Sequence, residues 1–240
     1  MPYFKRDKID LYYEDSGEDL PAVLLLAPGG MKSSIAFWDQ TPWDPRRALQ
    51  GQFRVIAMDQ RNAGKSKAPV SGEDGWHSYT ADQLALMDHL SVERFHAVGM
   101  CIGGPYCMGL IAAAPARVRS ASLFQTIGLD GNRDIFFHMF DAWAAGLKPD
   151  MTEVAQQDWG RFRDNMYSRD DVLFNVGQEF LRGCTTPLMV FKGDDEYHPI
   201  SASELVRDLC ASVDYVENWK TGSDMDAAIS AHTAFLTRNS

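Results

Sequence analysis

Short apolar runs alternate along the chain with amphipathic stretches of helical length. "PAVLLLAPGG" is an uninterrupted apolar run that ends in glycines, which is typical of a strand buried on both faces. "FRVIAMDQRNAGKS" and "RFHAVGMC" repeat this pattern, and "YTADQLALMDHL" between them places apolar side chains at helical spacing. The alternation predicts an α/β fold, with a mostly parallel central sheet flanked by helices.

The two ends of the chain extend the same pattern. "KIDLYYEDSG" alternates and then turns, which predicts an early antiparallel strand. "VRSASLFQTIG" and "TPLMVFKGDD" are two more buried strands, and "VDYVENW" is the last strand. We expect "DMDAAISAHTAFLTR" to form the final helix.

One segment interrupts the alternation. Between Leu129 and Gly183 the sequence contains aromatic-rich helical stretches and no strand pattern. An insert of this length exceeds the usual connection between two strands. We therefore expect a core domain of residues 1–128 and 184–240, with residues 129–183 forming a small helical cap over the carboxyl end of the sheet, where ligands bind in such folds. An ordinary long crossover is the alternative.

Composition limits the possible partners. The chain has 240 residues, 45% of them hydrophobic, and a formal net charge of −10, which disfavours binding to nucleic acids or anionic membranes. No apolar run reaches transmembrane length, and the first residues lack the apolar region of a secretion signal. The four cysteines have no C-x-x-C spacing, so we expect free thiols and a cytoplasmic protein.

The stretch "GMCIGG" places a cysteine at a predicted junction between a strand and a helix. A nucleophile at such a turn projects from the sheet edge, and small neighbours such as Gly99, Gly103 and Gly104 are needed because strand and helix approach closely there. The backbone N–H of Ile102 opens the helix, where amides attract negative charge. Cys101 is thus a candidate nucleophile. The alternative is a buried structural cysteine at a turn.

Four landmarks in this order resemble the α/β-hydrolase fold family over nearly the whole chain. "LLLAPGG" resembles the strand and oxyanion loop, "DQRNAGKS" the D-x-R-G-x-G-x-S loop, "GMCIGG" the nucleophile elbow and "GDDEYHP" the strand end that carries the triad acid. The resemblance implies that Cys101 replaces the usual serine, that Asp195 is the acid, and that the fold carries a small cap. The oxyanion hole would combine the amide of Ile102 with that of Gly30 or Met31.

The histidine that family members carry after the last strand is missing. That loop reads "ENWKTGSDMDAA" and has Asp224 where the pattern leads to a histidine. His198 follows Asp195 by three residues and is one candidate base, and the neighbouring carboxylates would raise its pKa. His232, in the final helix, is another candidate. Since a thiol is partly ionised near neutral pH, Cys101 could also act without a dedicated base.

Several further residues, together with Asp224 and His232, are candidates for a pocket. His77 precedes a predicted helix, His138 and Trp143 lie in the predicted cap, and the aromatic stripes of the cap favour an apolar or aromatic small-molecule substrate. Asp59 and Arg61 are expected to brace a loop internally. The cluster of carboxylates at 194–196 with His198 cannot converge on one ion, so we expect neither a metal site nor a cofactor.

These features lead to two hypotheses. The first is a hydrolase that acts on a carboxylic ester, thioester or lactone through Cys101, Asp195 and His198, with an acyl-enzyme intermediate. The second is a ligand-binding or non-hydrolytic member of the fold, either a receptor-like binder or a cofactor-free lyase or cyclase. The missing loop histidine favours the second.

Overall fold

The computed structural model describes residues 3–240 and contains one eight-stranded sheet. The strands are β1 Tyr3–Arg6, β2 Ile9–Asp15, β3 Ala22–Leu26, β4 Arg54–Met58, β5 Phe95–Met100, β6 Val118–Phe124, β7 Leu188–Phe191 and β8 Val213–Val216. Their spatial order is β1-β2-β4-β3-β5-β6-β7-β8. The predicted α/β fold is confirmed, and β1 is a strand that the sequence analysis missed.

The sheet is mostly parallel, as predicted. Strands β3 to β8 pair in parallel, whereas β2 pairs antiparallel with both β1 and β4. The carboxyl ends of the parallel strands therefore meet at one edge of the sheet. The turns that follow β3, β5 and β7 contain the predicted oxyanion loop, Cys101 and Asp195 in that order.

Eight α-helices surround the sheet. They are α1 Pro45–Ala48, α2 Trp76–His89, α3 Gly103–Ala113, α4 Arg133–Leu147, α5 Gln156–Tyr167, α6 Gln178–Gly183, α7 Ile200–Leu209 and α8 Gly222–Arg238. Three short 3-10 helices span Gly30–Lys32, Ile35–Gln40 and Lys148–Asp150. In the part of the chain that the structure describes, no helix is long and apolar enough to cross a membrane.

Successive strand residues alternate between two apolar cores. Leu24 and Leu26 of β3 belong to one core, and Val23 and Leu25 belong to the other. A continuous apolar run is needed because both faces of the sheet are covered. Burying each of these side chains contributes roughly 1.5–3 kcal/mol of transfer free energy.

The segment 129–183, which we call the inserted segment, contains α4, α5 and α6 between β6 and β7. Its aromatic residues do not form a separate core. Phe136, Phe140, Trp159 and Phe162 are buried in the same cluster as Leu24 and other residues of the sheet. The aromatic stripes seen in the sequence are therefore largely packing positions.

Candidate active site

Cys101 lies in a sharp turn between β5, which ends at Met100, and α3, which begins at Gly103. Its φ is +60°, a left-handed conformation that is strained for a residue with a side chain. The turn is held by backbone hydrogen bonds. The N–H of Cys101 donates to the carbonyl of Phe124 at 3.0 Å, and its carbonyl accepts from Gly104 at 3.1 Å and Ile127 at 3.2 Å.

Glycines flank this turn because neighbouring atoms leave no room for a Cβ. A Cβ on Gly99 would lie 2.1 Å from the carbonyl oxygen of Gly103, and one on Gly103 would lie 2.3 Å from that of Leu26. A Cβ on Gly104 would lie 2.1 Å from the hydroxyl of Thr126. The close approach of strand and helix that the sequence analysis inferred is therefore present.

The Cys101 thiol is in an environment that favours its ionised form. Burial raises its pKa, but the imidazole of His198 and the backbone N–H groups of Gly29 and Ile102 lower it, and the net effect is a lowered pKa. The other cysteine of this region, Cys107, is buried among apolar groups, and burial raises its pKa. Cys101 is thus the reactive thiol of the two.

Asp195 and His198 lie on the loop between β7 and α7. Both carboxylate oxygens of Asp195 are close to the His198 Nδ1 atom, at 2.7 and 2.8 Å. The carboxylate also accepts the backbone N–H groups of Tyr197 and His198 at 3.0 Å each. Gly193 makes this loop possible, since a Cβ there would lie 2.4 Å from the His198 carbonyl oxygen.

The His198 ring connects Asp195 with Cys101. Its Nδ1 faces the carboxylate, and its buried Nε2 has no partner at ordinary hydrogen-bond geometry. Burial lowers the pKa of His198, but Cys101 and Asp195 raise it, with a net increase. The pKa of Asp195 is raised by burial but lowered more by His198 and the loop amides. The contacts between His198 and both partners favour a thiolate–imidazolium pair.

The loop after β3 brings a second amide to the sulfur. That amide belongs to Gly29, and the predicted oxyanion residues Gly30 and Met31 follow it directly in the same loop. Gly30 has a φ of +56° and lies under Met139 of α4, whose sulfur would be 2.2 Å from a Cβ on this glycine. Met31 is buried, and its sulfur accepts the hydroxyl of Tyr167 at 3.4 Å.

His232 does not occupy the site, so its prediction as a possible base or pocket residue is wrong. The ring is fully buried in the core on the side of α8, against Trp43 and Phe191, and its Nε2 lies 2.9 Å from the hydroxyl of Ser122. Burial lowers its pKa to about 3, which keeps the ring neutral. His232, about two helical turns beyond the loop where the histidine was expected, therefore lies on the face of α8 that packs against the core.

The remaining pocket candidates lie apart from the groups that act on the thiol. Asp224, in the first turn of α8, and His138, on α4, are both exposed. His77 is exposed and borders a cavity of about 440 Å³ between α2 and α3. Trp143 is buried, donates its Nε1–H to the Asn62 carbonyl at 3.1 Å, and lines a cleft of about 360 Å³ beside the loop after β3.

Asp59 and Arg61 form the internal brace that the sequence predicted. Asp59 accepts the backbone N–H groups of Ile35 at 2.7 Å and Lys65 at 2.8 Å. Arg61 is buried and bonds to Asp82, at 2.8 Å from its Nε, and to Asp74. The loop between β4 and α2 is therefore fixed by buried charge pairs.

Comparison with known proteins agrees with this geometry. A family profile described as alpha/beta hydrolase fold matches residues 22–147, more than half of the chain. The chain belongs to the α/β hydrolase fold family. The matched region covers β3 to α4 and therefore includes the loop after β3 and the Cys101 turn.

Two curated relatives match part of the chain. RutD of Azorhizobium caulinodans, which carries a provisional carbamate hydrolase name, is 33% identical over 123 residues, 51% of this chain and 43% of RutD. Rhodomycin D methylesterase DauP of Streptomyces sp. strain C5 is 32% identical over 134 residues, 55% of this chain and 43% of DauP. The chain thus spans less than half the length of these relatives.

The fold is shared over the full length with a solved structure. The enol-lactonase from Burkholderia xenovorans LB400 superimposes with a TM-score of 0.71 and 21% identity, covering 98% of this chain and 100% of the lactonase. At this level of identity the similarity shows the α/β-hydrolase fold alone.

Two features of the site were missed in the sequence. The effect of the Gly29 amide on the thiol was not anticipated, because only the conformation of the loop brings it there. Three tyrosines near the elbow, Tyr79, Tyr106 and Tyr167, were not assigned to the site. Tyr106 follows Cys101 by only five residues, so its place near the elbow could have been predicted from the sequence. Tyr79 is brought there by the packing of α2 against α3.

Proposed function

We propose that this protein is a hydrolase that acts on a carboxylic ester, thioester or lactone through a cysteine nucleophile. The observation that carries the proposal is the Asp195–His198 pair, whose imidazole also lowers the pKa of the Cys101 thiol. An imidazole on the acid's own loop supplies the base that the loop after β8 lacks. The arrangement combines a nucleophile, a base and a group that orients the base.

In the acylation step the Cys101 sulfur attacks the carbonyl carbon of the substrate. The thiol proton is held by Nε2 of His198, and the Asp195 carboxylate stabilises the resulting imidazolium. The negative charge that develops on the carbonyl oxygen is stabilised by the amides of Ile102 and Gly29, with Gly30 and Met31 forming the adjacent loop. Collapse of the intermediate breaks the bond to the leaving oxygen or sulfur, which takes the proton from His198.

Deacylation uses the same groups in a second cycle. His198 accepts a proton from water, and the hydroxide attacks the thioester carbon. The sulfur of Cys101 then leaves, the acid product is released, and the proton returns to the thiol. General acid–base catalysis of this kind contributes roughly 10²–10⁴-fold in rate.

The inserted segment, residues 129–183, fits the role of a cap above residues 1–128 and 184–240. Met139 of α4 lies over Gly30, and Tyr167 at the end of α5 bonds to Met31. Helices of the segment therefore cover the loop beside the nucleophile. A cap at this position excludes water from the acyl-enzyme and contacts the substrate.

The alternative of a ligand-binding or non-hydrolytic protein rested on the missing histidine. The imidazole of His198 beside Asp195, together with the lowered pKa of Cys101, supports the hydrolase over this alternative.

The decisive experiment is intact-mass analysis after incubation with 4-nitrophenyl acetate. We expect one acetyl group per chain on the Cys101 peptide, and no adduct in Cys101→Ala. His198→Ala should slow the loss of the acetyl group by about 10²-fold or more. The matched control is His138→Ala, which removes an exposed histidine of α4 and should behave like the wild type.

Two outcomes would contradict the proposed function. An adduct that persists in Cys101→Ala would reject the nucleophile. The absence of both adduct and product, together with thermal stabilisation by small ligands, would support the binding alternative.

A further inference from the structure

Three tyrosine rings form a buried layer next to the elbow. Tyr79 of α2, Tyr106 of α3 and Tyr167 of α5 are at most 1% exposed. The rings of Tyr79 and Tyr106 stack with centroids 5.1 Å apart. Trp76 contacts Tyr106 and Tyr167 edge-on, at 5.6 and 5.9 Å. We call Tyr79, Tyr106 and Tyr167 the tyrosine layer.

The hydroxyl groups of this layer lack ordinary partners. The hydroxyls of Tyr79 and Tyr106 are buried and have no hydrogen-bond partner. That of Tyr167 contacts only the thioether of Met31, at 3.4 Å, and a thioether is a weak acceptor. Buried polar groups without partners are rare and destabilising in folded proteins, so two of them in adjacent rings require a reason.

The tyrosine layer belongs to the apolar cluster against which Cys101 packs. The N–H of Tyr106 donates to the carbonyl of Ile102 at 3.3 Å, in the turn that follows Cys101. Burial raises the pKa values of Tyr106 and Tyr167, and a negative charge on Cys101 raises them further. The hydroxyl of Tyr167 contacts the sulfur of Met31. Met31 lies two residues after Gly29, whose amide acts on the Cys101 thiol.

The chemistry of the layer is that of uncharged hydrogen-bond donors. Burial raises the pKa of Tyr79 far above its ordinary value, so its hydroxyl keeps the proton. The cation nearest to this ring is Arg61, 5.8 Å from its centroid, and its charge is already balanced by Asp74 and Asp82. A carboxylate bound here would therefore be a buried charge without a free counter-ion, which is destabilising. A neutral oxygen could accept hydrogen bonds from the hydroxyls without burying a charge.

We propose that the hydroxyls of the tyrosine layer bind an uncharged oxygen acceptor on the acyl chain of the substrate and so determine acyl specificity. This inference rests on the proposed function. A binding site with aromatic walls and two or three hydroxyl donors selects oxygen-bearing acyl groups over hydrocarbon chains of the same length.

The test compares pairs of 4-nitrophenyl esters that differ by one ketone oxygen. We expect the wild type to prefer the 4-oxopentanoate over the pentanoate, or the 5-oxohexanoate over the hexanoate, by about tenfold or more in kcat/KM. Tyr79→Phe and Tyr106→Phe should each remove most of this preference, by raising KM for the oxo esters more than KM for the plain esters. 4-Nitrophenyl hydrogen succinate, whose acyl chain ends in a carboxylate, should react poorly because the tyrosine layer offers this charge no counter-ion.

A matched control separates specificity from stability. Tyr215→Phe removes another buried hydroxyl without a partner, on β8 at the edge of the sheet, and should leave the preference unchanged. If Tyr79→Phe and Tyr106→Phe merely change the melting temperature while the preference stays as in the wild type, the hydroxyls are structural and the proposal is wrong.

Binding to Cys101→Ala provides a readout that needs no turnover. Methyl 4-oxopentanoate should bind about tenfold more tightly than methyl pentanoate by calorimetry, and the difference should disappear in Cys101→Ala/Tyr106→Phe. Acylation of Cys101 with no preference in either assay overturns the specificity proposal alone. Absence of Cys101 acylation by the acetate ester removes the proposed function and this inference with it.

Discussion

The His198 ring faces the Asp195 carboxylate across three residues of one loop, with its Nδ1 2.7 and 2.8 Å from the two carboxylate oxygens. The proposed acid and base are thus neighbours in the sequence, on the loop after β7. Backbone hydrogen bonds between Asp195 and His198 hold this turn, and Trp219 and Lys220 after β8 bond to Lys192 and Asp194 at its start. This relationship allows the acid and the base to be tested separately.

We expect the reactivity of Cys101 toward iodoacetamide to reach half its maximum below pH 9.0, the ordinary pKa of the thiol, since His198 and two amides lower this pKa against the effect of burial. In Asp195→Asn the midpoint should move to higher pH, because the imidazolium that stabilises the thiolate loses its own partner. The control is Asp194→Asn, which breaks an exposed pair with Lys220 and should leave the midpoint in place. If the wild type, Asp195→Asn and Asp194→Asn have equal midpoints, Asp195 does not affect the pKa of Cys101 through His198.

Substitution of Gly103 should damage the elbow. A Cβ there would lie 2.3 Å from the Leu26 carbonyl oxygen, a backbone atom, so we expect Gly103→Ala to lower the free energy of unfolding by about 2–3 kcal/mol. Gly160→Ala is the matched control, since this glycine of α5 has nothing within 4 Å of its Cβ position. It should stabilise the protein by roughly 0.5–1 kcal/mol. Urea unfolding measures both changes.

Stability should fall on mild acidification because of His232. The unfolded chain binds a proton near the ordinary histidine pKa of 6.5, whereas in the folded protein burial lowers the pKa to about 3. Between these values the unfolded state binds more protons, so stability decreases as pH falls, by about 2 kcal/mol from pH 7 to pH 5 for this residue. His96, whose pKa burial lowers to about 4, acts in the same direction.

The variant His232→Gln isolates this contribution. It removes the titrating ring but keeps a hydrogen-bonding group near Ser122, so it should be less stable at pH 7 and lose less stability on acidification. A decrease between pH 7 and pH 5 as large as in the wild type would show that His232 does not contribute.

Removing Arg61 should be costly because its two partners are also largely buried. The side chains of Arg61, Asp74 and Asp82 are 7%, 13% and 1% exposed. Arg61→Met leaves Asp74 without a cation and Asp82 with only the half-buried Arg6, and we expect a loss of about 3 kcal/mol in the free energy of unfolding. Lys5→Met breaks a pair with Asp10 in which the lysine is 70% exposed, and should change stability by less than about 0.5 kcal/mol. Similar effects of the two variants in urea unfolding would contradict the internal brace.

The sequence alone determined the positions of all strands except β1 and marked candidate residues at their ends. The apolar run of β3, the glycines around Cys101 and the alternation of strands with helices reflect local periodicity and close packing, which are readable without coordinates. Cys101 followed from its place at a strand end, and Asp195 followed from the resemblance of "GDDEYHP" to the acid loop of the family.

Only the tertiary structure decided which partners meet. His232 and His198 were both candidate bases, and the choice depends on which face of α8 meets the core and on how the loop after β7 turns. The Gly29 amide and the tyrosine layer depend on the conformation of a glycine loop and on the packing of α2, α3 and α5. Contacts between groups far apart in the chain are set by the three-dimensional packing of whole elements, and a local sequence pattern carries no record of them.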